Sequence, residues 1–329
     1  MSGPPLGVML FSLGGLFRRD RLGLAEGLER VAALGPGQGI ELIGAQSLPS
    51  YPEVPEEDVR AVRDAVDRTG VVPVAYIAYV ERARSATRVL SPLETLPLVL
   101  EELRTARRLG FPMLRLNTAT PELLRALAPV ADREGIDVVV ELATEPRTDP
   151  AVRELLDELD ALGCARLGVI QDFSAFVRTI PAPFLDAAVA EGTPPDAVRI
   201  VADTWAAGLP VGHAVQAITG LPGLSDLDRR MALTTAFTAS ALFRPGDPGG
   251  LLDVLPHLRH VQAKFFALDD GDDEPCIPYA ELLPLLRDGG YTGRVHSEFE
   301  GFLWSDDLDT FDQLARHQAM VTRLWSTAG

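Results

Sequence analysis

Short apolar stretches alternate along this chain with longer segments in which apolar residues recur at helical spacing. A short apolar stretch bounded by glycine or proline is typical of a buried strand, whereas recurrence every three or four residues is typical of a helix that buries one face. The pattern predicts strands at residues 7–12, 39–44, 71–79, 113–117, 136–141, 167–172, 259–265 and 294–299. It predicts helices between them at residues 22–34, 56–69, 92–109, 121–134, 150–162, 280–287 and 311–324.

Eight strands that alternate with helices indicate a parallel sheet, and eight such units in 329 residues fit a closed (β/α)8 TIM barrel. An open doubly wound sheet is the alternative, but no Gly-x-Gly-x-x-Gly motif follows the first strand to support it. The sixth and seventh strands are separated by more chain than one crossover needs. We therefore expect a single domain over residues 1–329 with a helical insertion at about 174–257, whose helices are predicted at 184–191, 195–207, 213–218 and 227–243.

Composition narrows the class of protein. A hydrophobic content of 47% with 23% charged residues is typical of a soluble globular chain. The net charge of −17 argues against a nucleic-acid or anionic-membrane surface, which needs clustered basic residues. The apolar run at 231–243 is too short to span a bilayer. Cys164 and Cys276 match no metal or redox spacing, and the amino terminus is a poor signal peptide, so we expect a cytoplasmic protein.

The stretch 294–300 carries an unusual polar face. Its residues alternate, so that His296, Glu298 and Glu300 share one side of the predicted strand. Buried carboxylates are costly unless they are paired or bind a metal, and such a face therefore indicates a site, with a solvated edge strand as the alternative. Lys264 lies in the neighbouring predicted strand and is the one lysine among 30 basic residues, which marks it as a functional candidate.

Oxygen-bearing side chains end four consecutive strands. They are Glu141, Asp172, Gln262 and Glu298. In a barrel these ends meet at the carboxyl-terminal mouth, where carboxylates repel one another unless a cation holds them. Oxygen ligands favour a hard divalent ion, so we predict Mn²⁺, with Mg²⁺ or Co²⁺ as alternatives. Each residue also has a purely structural interpretation, because Glu141 and Asp172 could cap the following helices and Gln262 could be a core amide.

Four longer motifs resemble the sugar phosphate isomerase/epimerase family of xylose-isomerase-like TIM barrels. The motifs are Val-Val-Val-Glu at 138–141, Leu-Gly-Val-Ile-Gln-Asp-Phe at 167–173, His-Val-Gln-Ala-Lys-Phe at 260–265 and Gly-Tyr-Thr-Gly-Arg-Val-His-Ser-Glu-Phe-Glu-Gly at 290–301. The resemblance covers most of the chain and implies metal binding by Glu141, Asp172, Gln262 and Glu298. The later motifs resemble more particularly a subgroup that contains catalytic subunits of C-glycoside deglycosidases, which act on 3-oxo sugars beside a small partner subunit.

Two positions depart from this family pattern. The family has a histidine where this chain has Gln262, which is expected to weaken the site or shift its metal preference. Many relatives have a histidine two residues after the fifth-strand glutamate, where this chain has Ala143. A general base of that type is therefore missing.

The resemblance implies metal-assisted enolisation of a keto sugar, that is, an isomerase or epimerase. Glu141 and Glu298 are the expected base and acid, and Lys264 is the third catalytic candidate. The residues expected to bind substrate are Arg115, Asn117, His296 and Glu300. One alternative is a lyase that eliminates the aglycone of a 3-oxo glycoside together with a small second subunit. The other is a barrel that has lost catalysis and serves as a binding or structural subunit. The expected partners are a sugar or glycoside and further copies of the chain in a homo-oligomer, and neither nucleic acid nor membrane.

Overall fold

The computed structural model describes residues 3–19 and 21–327. Eight parallel strands close into a barrel in which each strand pairs with the next one along the chain and the eighth pairs with the first. The strands are β1 (Leu6–Met9), β2 (Gly39–Ile43), β3 (Val72–Ala78), β4 (Met113–Leu116), β5 (Asp137–Leu142), β6 (Leu167–Asp172), β7 (Leu258–Phe265) and β8 (Arg294–Phe299). This architecture confirms the predicted (β/α)8 barrel.

Helices follow the strands on the outside of the barrel. The longer ones in the described part of the chain are α1 (Leu24–Ala32), α2 (Glu56–Thr69), α3 (Leu96–Leu109), α4 (Pro121–Glu134), α5 (Pro150–Leu162), α6 (Ala182–Ala190), α7 (Pro195–Ala206), α8 (Val211–Gly220), α9 (Asp226–Leu242), α10 (Tyr279–Asp288) and α11 (Thr310–Thr327). Four-residue helical turns lie at Gly14–Phe17, Gly44–Ser47 and Leu251–Val254. A short antiparallel hairpin, Ala83–Ser85 with Arg88–Val89, follows β3. Among the described residues, no helix combines the length and the apolarity that crossing a bilayer requires.

Helix α2 shows why sequence periodicity locates these outer helices well. Its buried residues, Val59, Val62 and Val66, recur at helical spacing and face the barrel. Three acidic residues occupy its first turn, where they interact favourably with the helix dipole. The helix ends at Gly70, whose φ of 71° is a left-handed conformation that glycine adopts without strain.

Two element boundaries differ from the sequence prediction because a 3₁₀ turn replaces part of the predicted element. Strand β1 ends at Met9 rather than at residue 12, because Leu10–Leu13 form a 3₁₀ turn. This turn buries Ser12, whose hydroxyl accepts a hydrogen bond from the backbone of Phe299 over 2.9 Å. Helix α3 begins at Leu96 rather than at residue 92, because residues 93–95 form a separate 3₁₀ turn.

The segment between β6 and β7 contributes part of the barrel mouth. It contains α6 to α9, close to the four predicted positions. Phe184 on α6 and Phe243 after α9 pack against Phe266 and Trp304, with neighbouring ring centroids 5.3–5.9 Å apart. Aromatic pairs at this separation interact favourably edge to face. The cluster therefore fixes the end of α9 beside the loops that follow β7 and β8.

Candidate active site

Four polar side chains, which we call the deep cluster, lie in the barrel interior. They are Glu41, His260, Gln262 and His296, and all are fully buried. His260 Nε2 and His296 Nδ1 lie 2.8 and 3.0 Å from Glu41 Oε1, and Gln262 Nε2 donates to Glu41 Oε2 over 2.7 Å. Because a carboxylate can only accept, the two imidazole nitrogens that face it carry protons.

The deep cluster combines an ionised carboxylate with a neutral imidazole. Burial alone would raise the pKa of Glu41, but the charge of His260 and the hydrogen bonds from His260 and His296 lower it. Burial lowers the pKa of His296 to about 3, with a further contribution from His260. Candidate ligand atoms of Glu41, His260 and His296 all lie within 4.8 Å of one another, so this group could hold a metal ion.

Two glycines make room for the imidazole of His296. Gly7 on β1 is the register partner of both His296 and Gly39. A Cβ atom added at Gly7 would lie 2.2 Å from His296 Nε2, and one added at Gly39 would lie 2.3 Å from the same atom. Such distances are well inside van der Waals contact, so the barrel closes around this ring only because these two positions carry no side chain.

Replacing Gly7 with alanine is therefore expected to destabilise the barrel by about 1–3 kcal/mol through overpacking. The measurement is the free energy of unfolding from urea titrations. Gly212→Ala is the matched control, because Gly212 lies in α8 and a Cβ there meets nothing within 4 Å. The control should be neutral or slightly stabilising, since alanine favours helix. Equal free energies for the two variants would contradict the proposed contact.

A second group, the mouth cluster, lies at the carboxyl ends of the strands. It consists of Arg115, Glu141, Asp172, Lys264, Glu298 and Glu300. Lys264 Nζ lies 3.1 Å from Asp172 Oδ2, 3.1 Å from Glu298 Oε1 and 2.6 Å from Glu300 Oε1. Arg115 Nη2 donates to Glu141 Oε2 over 2.6 Å. The solitary lysine is thus the cation around which three of the carboxylates gather.

The ionisable groups of the mouth cluster have strongly perturbed pKa values. Burial raises the pKa of Glu298 well above its usual value although Lys264 opposes it, and Asp172 adds to the increase. Burial also raises the pKa of Glu141, against the influence of Arg115. Burial alone would lower the pKa of Lys264, but the nearby carboxylates raise it, so the side chain is an ammonium ion. Such shifts are typical of groups that take part in catalysis.

The residues of the mouth fit a divalent cation. Four carboxylates of the mouth cluster face two basic groups, and this leaves negative charge in excess. Glu298 Oε2 and Gln262 Oε1 are buried without a hydrogen-bond partner among the described residues. Gln262 is the register partner of Asp172, so the two residues occupy neighbouring strand positions. Unpaired oxygen atoms and excess negative charge are what a hard divalent ion requires.

A cavity of about 320 Å³ opens at the mouth cluster. Its wall contains seven residues predicted from the sequence: Arg115, Asn117, Glu141, Asp172, Lys264, Glu298 and Glu300. Gln262 and His296 are not part of this wall, because they hydrogen-bond to Glu41 deeper in the barrel. His296 is fully buried, and its expected contact with substrate stays a prediction. The predicted metal site of Gln262 with Glu141, Asp172 and Glu298 stays a prediction, since Gln262 neighbours Asp172 in strand register but is absent from the cavity wall.

The sequence did not reveal the apolar side of this cavity. Its members are Met9, Phe11, Tyr79, Leu242, Phe243, Phe266, Leu303 and Trp304. Several of them directly follow the carboxyl ends of strands, where a barrel carries its functional loops, and this position is the signal that could have identified them. Leu242 and Phe243 come instead from the end of α9, and no local pattern connects that helix with the mouth.

The fold is that of the xylose isomerase-like TIM barrels. The D-psicose 3-epimerase of Clostridium cellulolyticum H10 superposes with a TM-score of 0.57 at 13% identity, covering 98% of each chain. An L-ribulose 3-epimerase superposes with a TM-score of 0.57 at 12% identity, covering 99% of this chain and 95% of that one. At such low identity the likeness shows the shared fold.

Sequence comparison then gives the family. No protein-family model matches the chain. A C-glycoside deglycosidase alpha subunit of Arthrobacter globiformis is 30% identical over 338 residues, covering 99% of this chain and 92% of the relative. A 3'-dehydrocarminate deglycosidase alpha subunit of a Microbacterium species is 29% identical over 339 residues, covering 98% and 95%. The chain belongs to the family of C-glycoside deglycosidase alpha subunits, and it is an enzyme of the isomerase/epimerase or lyase type.

Proposed function

We propose that the protein cleaves the bond between sugar and aglycone in a C-glycoside whose sugar carries a 3-oxo group. The observation that carries this proposal is the mouth cluster, in which acid, base and ammonium groups face one sugar-sized cavity. Membership of the deglycosidase family supports cleavage over isomerisation. The name of the Microbacterium relative supports a substrate already oxidised at the 3' position.

The proposed reaction is a β-elimination. The 3-oxo group acidifies the hydrogen on C2, and a base removes this hydrogen to give an enolate. The electron pair then forms the C1–C2 double bond and expels the aglycone carbon, which takes up a proton. The sugar leaves as an unsaturated ketone, and no oxidant or reductant is consumed.

Glu298 is the proposed base. Its Oε2 atom has no hydrogen-bond partner among the described residues, and a carboxylate with a raised pKa is a stronger proton acceptor. Glu141 is held by Arg115 on another strand of the same mouth and is the proposed donor of the proton to the leaving carbon. Lys264 lies between Asp172 and Glu298, and its positive charge would stabilise the oxygen on which negative charge develops.

A divalent ion is part of the proposal, and Mn²⁺ is the metal that we expect. Glu141, Asp172 and Glu298 would hold it, with the unpaired oxygen of Gln262 as a further donor. When bound, such an ion polarises a carbonyl group and stabilises the enolate. The alternative metal position is the group Glu41, His260 and His296 in the deep cluster. None of these residues lines the cavity, so an ion bound there would stabilise the fold and would not contact the substrate.

We also propose that the enzyme works with a second subunit. Both relatives described above are named alpha subunits, and this supports an assembly of unlike chains. The remaining alternative is epimerisation or isomerisation, which begins with the same removal of an α-hydrogen. That alternative differs only in the fate of the enolate, so one experiment distinguishes it.

The test uses an aryl C-glucoside with a 3-oxo group, incubated in heavy water with the purified protein, its second subunit and Mn²⁺. Release of the free aglycone with deuterium at C2 of unreacted substrate is expected. Deuterium exchange that gives a new sugar epimer without release would instead establish the isomerase alternative. If neither deuterium exchange nor aglycone release occurs, the proposed enolisation is refuted.

Metal analysis of the purified chain should find about one divalent ion. An ion that is retained by Glu41→Gln but lost from Asp172→Asn would be assigned to the mouth cluster.

A further inference from the structure

Three buried polar side chains form a chain of hydrogen bonds behind the strands that carry Lys264 and Glu298. Ser297 lies on β8, Tyr279 begins α10 and His317 lies on α11. Ser297 Oγ lies 2.8 Å from His317 Nδ1, and His317 Nε2 lies 2.9 Å from the Tyr279 hydroxyl. That hydroxyl donates to the backbone oxygen of Lys264 over 2.7 Å. We call Ser297, His317 and Tyr279 the outer network.

The outer network lies on the helix side of the barrel wall. Side chains alternate along a strand, so Ser297 faces away from the interior that its neighbours His296 and Glu298 face. The three members of the network are at most 2% exposed, and none of them lines the cavity at the mouth cluster. Any influence of the network on the site therefore passes through the two strands.

Each hydrogen bond in the outer network has one direction. A carbonyl oxygen only accepts, so the single proton of the Tyr279 hydroxyl is used on Lys264. The Tyr279 oxygen then accepts from His317 Nε2, which carries the proton of the neutral imidazole. His317 Nδ1 is left as an acceptor, and the Ser297 hydroxyl donates to it. Burial lowers the pKa of His317 to about 3, so the ring stays neutral and the directions are kept.

Packing holds the imidazole in the orientation that these hydrogen bonds need. The ring of Phe265 stacks on His317 with centroids 4.0 Å apart and 8° between the planes. Tyr279 lies edge to face against the same imidazole at 5.1 Å. Phe265 directly follows Lys264 on β7, whereas Ser297 belongs to β8. The imidazole thus contacts both strands, one through stacking and the other through a hydrogen bond.

We propose that His317 is a positioning residue that joins β7 to β8 through the outer network and so fixes the Lys264 ammonium group against the Glu298 carboxylate. Lys264 and Glu298 are register partners, and Lys264 Nζ lies 3.1 Å from Glu298 Oε1 inside the barrel. One end of the network is the backbone of Lys264 itself, and the other is Ser297, the residue before Glu298. A slip between the two strands would therefore move the two charged groups apart.

The place of this pair on the strands explains why a support from outside is needed. The last register partners of β7 and β8 are Phe265 and Phe299, one position beyond Lys264 and Glu298. The end of a strand opens more easily than its middle, because fewer neighbouring hydrogen bonds hold it. The effect of this support on turnover rests on the proposed function, whereas its effect on the position of Lys264 does not.

The position of the ammonium group is directly measurable because the chain has a single lysine. Protein grown with lysine that carries ¹³C at Cε gives a side-chain signal from Lys264 alone. A side chain that is held in one orientation gives separate NMR signals for its two Cε protons, whereas a mobile side chain gives one averaged signal. Spectra are recorded on the full chain with Mg²⁺, because Mn²⁺ is paramagnetic and would broaden them.

Two variants interrupt the outer network, and a third is the matched control. Tyr279→Phe removes only the hydroxyl that joins His317 to Lys264. His317→Phe keeps a ring that can stack on Phe265 but removes both hydrogen bonds of the imidazole. The control is Leu314→Ala, which lies one turn earlier on α11, is fully buried and takes no part in the network. It leaves a cavity and lowers stability without changing the hydrogen bonds.

Tyr279→Phe and His317→Phe should each merge the separate signals of Lys264, whereas Leu314→Ala should leave them separate. The double variant should change the spectrum no further, because either substitution interrupts the same chain. With a 3-oxo C-glucoside, the second subunit and Mn²⁺, each network variant should lower kcat at least about tenfold and leave KM within about twofold, since misplacement affects the reacting groups more than binding.

The other outcomes are equally decisive. Signals that stay separate in both network variants, or that Leu314→Ala merges as fully, would overturn the inference, because the network would then serve the fold alone. An averaged signal in the wild type, or merged signals with unchanged kcat, would overturn it too. If His317→Phe does not fold, Tyr279→Phe decides by the same criteria. Separate wild-type signals that Tyr279→Phe merges, without any reaction of the 3-oxo C-glucoside, would support the positioning of Lys264 and refute the proposed function.

Discussion

Replacing Glu298 with glutamine is expected to lower the turnover of a 3-oxo C-glucoside about 10³-fold, as is usual when a general base is lost. Glutamine preserves the volume of the side chain, so the fold should be unaffected. The variant cannot accept the C2 proton, and deuterium exchange at C2 should therefore fall with the release of aglycone. The measurement is the rate of both processes under saturating substrate, in heavy water, with the second subunit and Mn²⁺ present.

The control for this variant is Glu281→Gln, which lies on α10 and forms an exposed ion pair with Arg178. It removes one carboxylate from the same chain and should retain full activity. Glu298→Gln with more than a tenth of wild-type exchange would show that another group removes the proton. A variant that keeps exchange but loses release would move Glu298 to the protonation of the leaving carbon instead.

The alternation of β8 illustrates what the sequence can and cannot predict. A strand period of two correctly puts His296, Glu298 and Glu300 on one face. It does not say how deep each residue lies, and residues two apart on a strand are separated by about 7 Å. His296 therefore lies in the deep cluster, with its ring against Gly7 and Gly39. Glu298, two residues later, lines the cavity at the mouth. Height in the barrel depends on strand stagger, which local sequence does not encode.

The contact of Gln262 with Glu41 could not be predicted from the sequence for the same reason. Glu41 lies 221 positions earlier in the chain, and its carboxylate holds the amide of Gln262 from across the interior. No periodicity in either strand connects the two residues. Lys264, two positions later on β7, reaches the carboxylates from its own strand. The outer helices were easier to predict, because each depends on its own apolar face and on a glycine stop such as Gly70.

Glutamine at position 262, where the resemblance to the isomerase/epimerase family implies a histidine, has a consistent physical interpretation. The amide of Gln262 donates a hydrogen bond to Glu41 and leaves an oxygen atom free as an acceptor. A neutral imidazole in the same place would donate through one nitrogen and leave the other nitrogen, not an oxygen, as the acceptor. His260 and His296 already donate to the same carboxylate. Gln262 thus supplies the third donor to the buried charge of Glu41 and keeps an acceptor atom free, and we expect Gln262→His to alter metal preference rather than fold.

Replacing Lys264 with methionine is expected to have the largest effect on stability. The ammonium group contacts Asp172, Glu298 and Glu300, and its loss leaves buried carboxylates without their cation. Removing one partner from a buried ionic cluster destabilises a protein by about 3–5 kcal/mol. Urea titrations in metal-free buffer measure this loss as the free energy of unfolding. Arg178→Met, which breaks an ion pair between half-exposed side chains, is the control and should cost less than about 1 kcal/mol.

The pH dependence of this deficit has a definite sign. Burial already raises the folded-state pKa of Glu298 above 4.5, and removal of Lys264 takes away the group that opposes this shift. The folded variant therefore binds protons that the unfolded chain releases above pH 4.5, so its stability falls as pH rises through that range. The loss of stability relative to wild type should be smaller at pH 5 than at pH 8.

Added Mn²⁺ should restore more stability to the variant than to the wild type at pH 8, because the ion can replace the lost cation between the carboxylates. A deficit that ignores both pH and Mn²⁺ would mean that Lys264 stabilises the mouth by packing alone.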